Sequence, residues 1–218
     1  MKLYMHSRKL SHLNGILLRN PLVTMGCFLA LAVVPVTSLR AGAALSLLLT
    51  LVSVPTYVGM SALGRFLKGV WRTVAAPLAA AVLFIPAFFI TQAVFPDVGE
   101  RFGFYLPIIV FDVFFTSRCS TLAPRVRPNW MLVDSVSCCF GLAIVFCLLG
   151  CVRELVGSGT IWGITVYYGE TFPALLLPFG GFFALAFLMA LSNLLLRLVR
   201  HSVRTAVEHR KKEVREHE

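Results

Sequence analysis

The sequence predicts an all-α membrane protein of six transmembrane helices, and three observations carry that prediction. Hydrophobic residues make up 58% of the 218 residues and charged residues only 14%, against about 25% charged in an ordinary soluble domain. The apolar residues are gathered into six long runs rather than spread as amphipathic faces. The Lys and Arg residues fall in alternate connections between those runs. This composition excludes a disordered chain, a collagen-like fibre and a water-soluble globule. It also leaves no polar face for a basic nucleic-acid-binding patch, so no nucleic acid is expected as a partner.

Taken in order, the first run is Pro21 to Leu39 and contains no charge. The second runs from Ala41 to Leu63 and the third from Thr73 to Phe95. The fourth, Phe102 to Ser117, is shorter and carries Asp112. The fifth, Met131 to Val152, has Asp134 near its start. The sixth, Phe172 to Leu196, is interrupted by Pro178, Gly180 and Gly181. A helix needs about 20 apolar residues to cross a bilayer, and only the fourth run is short enough to compete as a buried soluble helix. The membrane domain so defined is 20–199, between a basic tail, 1–19, and a charged helical tail, 200–218. In that second tail Arg204 with Glu208 and Lys212 with Glu216 stand at helical i,i+4 spacing. Arg40 crowds the small residues Ala41, Gly42 and Ala43, so the first run is expected to stay as a span rather than be cleaved as a signal peptide.

The orientation follows from the basic residues. The N-terminal tail holds Lys2, Arg8, Lys9 and Arg19, and the second connection holds Arg65, Lys68 and Arg72. The fourth connection holds Arg125 and Arg127, and the stretch from Arg197 to the end of the C-terminal tail adds seven more. The opposite side has Arg40, Arg101 and Arg153. Both termini are therefore expected in the cytoplasm, and the net charge of +10 is a topology signal.

Six spans of similar size fit two inverted three-helix halves, about 20–95 and 102–199, with broken first and fourth helices. Both of those helices open around a proline, at Pro21 and Pro107, and carry an irregularity, Pro35 in one and Asp112 in the other. Asp112 is the ion-path candidate. A carboxylate at mid-membrane costs about 2.5–3.5 kcal/mol on insertion scales, so it must face the bundle interior, pair, or be protonated. A bond to the backbone or to Thr116 is the plainer alternative. After the fifth run comes Arg153-Glu154-Leu-Val-Gly-Ser-Gly159-Thr160-Ile-Trp162-Gly163, with adjacent opposite charges and glycines suited to a tight reversal. Trp162, Tyr167 and Tyr168 suit the membrane interface. The cysteines, Cys27, Cys119, Cys138, Cys139, Cys147 and Cys151, lie mostly in apolar runs, where they pack as small hydrophobes. There is no phosphate loop, zinc spacing, catalytic triad or dinucleotide fingerprint, so no catalytic residue and no metal ligand is assigned. All five histidines lie in the tails, which excludes a haem held by histidines of the spans.

Several stretches together resemble a known family. These are Asn20-Pro21, Leu106-Pro107-Ile-Ile-Val110, Arg118 with Ala123, Asp134 and Gly141, the Arg153 to Gly163 stretch, and Leu177-Pro178-Phe-Gly. With Arg72 they resemble the six-helix subunits of the Rnf electron transport complex and the sodium-pumping NADH:quinone oxidoreductase (Nqr), in particular the E subunit of Rnf and the D subunit of Nqr. The resemblance covers roughly residues 20 to 200. It implies a bacterial inner-membrane subunit of a redox-driven ion pump, packed against an inverted homologous subunit and working with the other subunits in the lipid bilayer. It also implies an iron–sulfur cluster held between the two homologues, each giving two cysteines from its broken helices. Here those two positions fall on Ala30 and Val113, and Ser120 replaces the glutamate usual after the arginine of the fourth-helix motif. Cys27, one turn from Ala30, and Cys119 are the substitute ligands to weigh. The alternatives are a small multi-span transporter component with a substrate cavity in place of the cluster, and a cluster-free structural subunit.

Overall fold

The computed structural model describes residues 33–64, 66–67, 70–108, 116–191 and 193–194. Ala30, Val113, Cys27 and Asp112 lie outside the described residues, as do most of the first run and the middle of the fourth. Among the described residues three helices are long and apolar enough to cross a membrane. They are α1 (Leu39–Leu63), α2 (Val70–Val94) and, after the five-residue α3 (Val98–Phe102), α4 (Pro128–Ser158). A shorter apolar helix, α5 (Pro178–Leu191), follows.

The boundaries have local causes. Ser38 caps α1 from an extended conformation, its Oγ accepting from the Ala41 amide at 3.2 Å. At the other end Arg72 donates to the carbonyls of Gly64 and Leu67 at 3.0 and 2.8 Å, placing a cation where a helix leaves carbonyls unpaired. Pro128 opens α4 at the first helical position, where its missing N–H is no loss. Pro178 does the same for α5. It therefore starts a helix and does not interrupt one as the sequence predicts, and the interruption is the single 3₁₀ turn Pro173–Leu175. The fifth span runs six residues past its predicted end at Val152, so Arg153 and Glu154 are helical and not part of a loop. Between α3 and α4 the described backbone is a 3₁₀ turn (Gly103–Tyr105), then a π-turn (Arg118–Leu122) and a second 3₁₀ turn (Ala123–Arg125).

α1 packs most extensively on α4, and the two run antiparallel: the start of α1 meets the end of α4, while Ser61 near the end of α1 bonds the Val126 carbonyl before α4. Leu45, Leu48, Leu49 and Val52 share the core with Leu142, Phe146 and Leu149. The backbones come close, and a Cβ on Gly150 would stand 2.4 Å from the Ser38 carbonyl oxygen. Small residues at a helix crossing are how membrane helices gain contact without a hydrophobic driving force. By contrast α2 leaves Val74, Leu78, Val82, Ile85 and Phe89 exposed along its length, as expected of a face that meets lipid.

Candidate functional site: a buried arginine–glutamate pair

Two oppositely charged neighbours near the end of α4 are both buried, and each reaches backbone rather than the other. The Arg153 guanidinium is fully enclosed. Its Nε donates to the Leu175 carbonyl at 3.1 Å, and its Nη2 donates to Leu176 at 2.7 Å and Leu177 at 3.3 Å. Its Nη1 donates to the carbonyls of Val33 and Val36, the latter at 2.7 Å. A guanidinium carries five N–H donors in a fixed fork, and five carbonyl oxygens receive them. Three belong to the turn leading into α5 and two to the segment leading into α1. Gly181 on α5 makes the room, since a Cβ there would lie 2.9 Å from the Arg153 Cζ and 3.0 Å from Val33 Cγ1.

Glu154 works in the opposite sense. Its Oε2 accepts from the amide of Leu39, the first residue of α1, at 2.8 Å, and its Oε1 accepts from the Gly163 amide at 2.8 Å and from Thr160 Oγ1 at 3.2 Å. A carboxylate at a helix N-terminus faces unpaired amides and the positive end of the helix dipole. The two residues thus grip both sides of the break between Val33 and Leu39, the arginine on its carbonyls and the glutamate on its amide. Burying a lone charge costs several kcal/mol; here each charge is met by fixed backbone dipoles, and the pair is neutral overall. It contains neither a nucleophile nor an open coordination position, so its chemistry is to hold three segments in register.

Glu154 also anchors a small hairpin. Strands β1 (Thr160–Ile161) and β2 (Ile164–Thr165) pair antiparallel, Thr160 opposite Thr165 and Ile161 opposite Ile164. The two loop residues, Trp162 and Gly163, have φ of +58° and +81°, the conformation of the tight turn that suits right-twisted strands. Gly159, which ends α4 at φ +69°, gives its carbonyl to the amides of Val166 and Tyr167.

A second polar group lies at the other end of α4. Arg118, on the π-turn, forms an ion pair with Asp134 and sets its guanidinium carbon 5.9 Å from the centroid of the Tyr57 ring. Cys119 beside it is buried, and its thiol, outside the membrane-spanning segments, is pushed up to about 12 by burial, against a lowering by Arg118. Cys138 and Cys139 are buried in α4. Among the described residues no group of three His, Cys, Asp or Glu side chains could hold a metal ion. Ala30 and Val113, at the positions where the resemblance places the cluster thiolates, have no ligating atom. These residues do not fit an iron–sulfur cluster held in the manner the resemblance implies.

The sequence marks the Arg153 to Gly163 and Leu177 to Gly180 stretches separately, and the structure joins them at one guanidinium. Tyr57 is not legible as a site residue, because its ring gives no charge or spacing signal. The role of Glu154 escapes the sequence reading too, although a charge inside an otherwise apolar helix is the signal that could have found it.

A chain with three bilayer-length apolar helices among its described residues, and a buried zwitterionic pair joining α4 to the start of α1 and the turn before α5, is a multi-span membrane protein. Its family follows from comparison: residues 10–189 match the model of the Rnf-Nqr family, described as an Rnf-Nqr subunit and membrane protein, and the chain belongs to that family. It is 28% identical over 183 residues to the E subunit of the Na(+)-translocating ferredoxin:NAD(+) oxidoreductase complex of Acetobacterium woodii, covering 82% of this chain and 92% of that protein. It is 34% identical over 106 residues to the E subunit of the proton-translocating ferredoxin:NAD(+) oxidoreductase complex of Clostridium ljungdahlii, covering 47% of this chain and about half (49%) of that protein. It is 24% identical over 154 residues to the D subunit of the Na(+)-translocating NADH-quinone reductase of Photorhabdus laumondii, covering 71% of this chain and 74% of that protein.

Proposed function

We propose that the chain is a membrane subunit of an ion-translocating electron transport complex of the Rnf/Nqr type, filling the place of the E or D subunit in the bacterial cytoplasmic membrane. The observation that carries this reading is the family match over residues 10–189, supported by relatives that are named subunits of ferredoxin:NAD(+) and NADH–quinone oxidoreductases. In this reading the chain has six spans in two inverted halves, 20–95 and 102–199, both termini in the cytoplasm, and an inverted homologue as its neighbour. Lys and Arg counts support the orientation.

The test is isolation of the tagged chain from its native membrane. Co-isolation with flavin- and iron–sulfur-bearing subunits is expected. A colourless chain that comes alone and binds a small substrate would support a transporter component instead. The cluster-free structural subunit is a second reading favoured by a specific observation, the alanine and valine at positions 30 and 113. Iron and acid-labile sulfide analysis of the assembly, with Cys27→Ser and Cys119→Ser variants, decides it: unchanged iron in both variants removes these cysteines as ligands. Asp112 is assigned to the ion path, and Asp112→Asn with full ion transport would remove it from that role.

A further inference from the structure

We infer that the hairpin after α4 is a membrane-surface anchor, seated in the lipid headgroup layer with Trp162 at its tip. Trp162 is in the wrong place for its shape. A two-residue turn with both φ values positive is ordinarily filled by Asn, Asp or Gly, yet its first position is a tryptophan at φ +58°. A bulky residue in the left-handed region persists only where surroundings over-determine it. They do so here: the Glu154 carboxylate holds the Gly163 amide and the Thr160 hydroxyl, Ser158 meets Thr160 at 2.9 Å, and the Phe172 amide returns to the Val156 carbonyl at 2.9 Å. The hairpin is thereby fixed to the end of a long helix with its indole half out, at 48% exposure.

What it presents is largely apolar: Thr160 and Thr165 share one face of the strands and Ile161 and Ile164 the other. Ile164, Val166, Tyr167 and Phe172 are exposed, Tyr168 reaches 89%, and Glu170 is the sole charge between residues 155 and 176. The strands alternate Thr with Ile, but the tip and the segment after them do not, since Trp162, Val166, Tyr167 and Tyr168 are all exposed. A hairpin this short is marginally stable at best in water. Lipid is the occupant because an exposed apolar row on α4, Phe140, Ile144, Leu148 and Leu155, runs along a bilayer-length helix to the foot of the hairpin. The length also fits. Trp130, 55% exposed at the start of α4, and the hairpin just past its end lie about 42 Å apart along the axis at 1.5 Å per residue. A bilayer with its headgroup regions measures about 40–45 Å. Trp71, 73% exposed, opens α2 at the same end as Trp130. The tryptophans therefore sit at two levels, one for each interface, where rings with an apolar body and a polar edge are enriched.

The experiment uses the full-length chain with Trp71→Phe and Trp130→Phe, so that Trp162 is the only tryptophan, reconstituted in phosphatidylcholine vesicles. The lipids are brominated either near the headgroup end of the acyl chain or near its terminus, and iodide serves as the aqueous quencher. The expected result is a larger loss of emission with the shallow bromines than with the deep ones, and a smaller loss with iodide. Trp162→Gly, at ease at this φ, gives the emission blank while keeping the turn. Quenching by iodide without bromolipid quenching would overturn the anchor in favour of a solvated loop. Bromolipid quenching that disappears in the assembled complex would overturn it in favour of a protein neighbour. Neither outcome depends on whether the chain co-isolates with redox subunits.

Discussion

Gly181 is the gap into which Arg153 fits. The side chain that α5 lacks at this position is the space taken by the guanidinium of α4, with a Cβ at 181 falling 2.9 Å from the Arg153 Cζ. The closeness of two helices and the burial of a charge are therefore one packing event. Gly181→Ala is expected to push the fork away from the Val33 and Val36 carbonyls and to lower stability by about 1–3 kcal/mol, the usual cost of overpacking. Thermal unfolding of the purified protein in detergent measures it, and an unchanged midpoint would show that the fork has slack.

Arg153→Met removes the charge and takes the guanidinium donor from five carbonyl oxygens, of which Leu177 keeps the Gly181 amide as a partner. With about 1–3 kcal/mol for each buried polar group left unpaired, a loss of more than about 3 kcal/mol is expected. Arg153→Lys keeps the charge but has three donors on a flexible stem and not a planar fork. It should fall between the two in the same unfolding measurement; equality with the arginine form would mean that charge alone matters.

Glu154→Gln retains one acceptor oxygen and loses the other. Either the Leu39 amide or the Gly163 amide then goes without its partner, and the N-terminus of α1 loses a charge worth about 0.3–1 kcal/mol or somewhat more when buried. Hydrogen exchange followed by mass spectrometry should show faster exchange at residues 39–41 or 163. Protection equal to the parent chain at both places would contradict the bonding described above.

Burial raises the Cys119 thiol from its ordinary 9.0 to about 12, which fixes the direction of its pH effect. Between those values the unfolded chain gives up the proton and the folded chain keeps it, so raising the pH through this window favours unfolding. At neutral pH the native thiol is protonated and enclosed. Alkylation of Cys119 should therefore be seen only after denaturation, a difference that peptide mapping reads directly.

Asp134→Asn breaks the ion pair with Arg118, but Asp134 is half exposed. Water already screens such a pair, and under about 1 kcal/mol is expected. A larger shift of the unfolding midpoint would mean that Asp134 also sets the position of the π-turn.

The long apolar runs are legible because hydropathy over twenty residues needs no partner to interpret it. The runs at 41–63 and 73–95 agree with α1 and α2 to within three residues. The end of the fifth span is not legible in the same way. Arg153 and Glu154 read as an interface because side-chain charges ordinarily mark one, whereas the groups that neutralise them are backbone carbonyls and amides, which leave no trace in residue identity. Nor can spacing reveal that the Val33 and Val36 oxygens lie beside a residue 117–120 positions away. Pro178 illustrates a subtler ambiguity, since a proline within an apolar run reads equally as a break or as a first turn, and the preceding 3₁₀ turn decides it.

The carbonyls that complete the Arg153 shell lie 22 to 24 residues later in the chain. During synthesis the arginine therefore leaves the ribosome before three of its five acceptors do. Until the ribosome has delivered the Leu175–Leu177 segment, the end of α4 has only its contacts to the earlier chain, with the fork half filled. The last helix then does more than add mass to the bundle, because its arrival satisfies the fork and sets the moment at which the nascent protein can commit to its final arrangement.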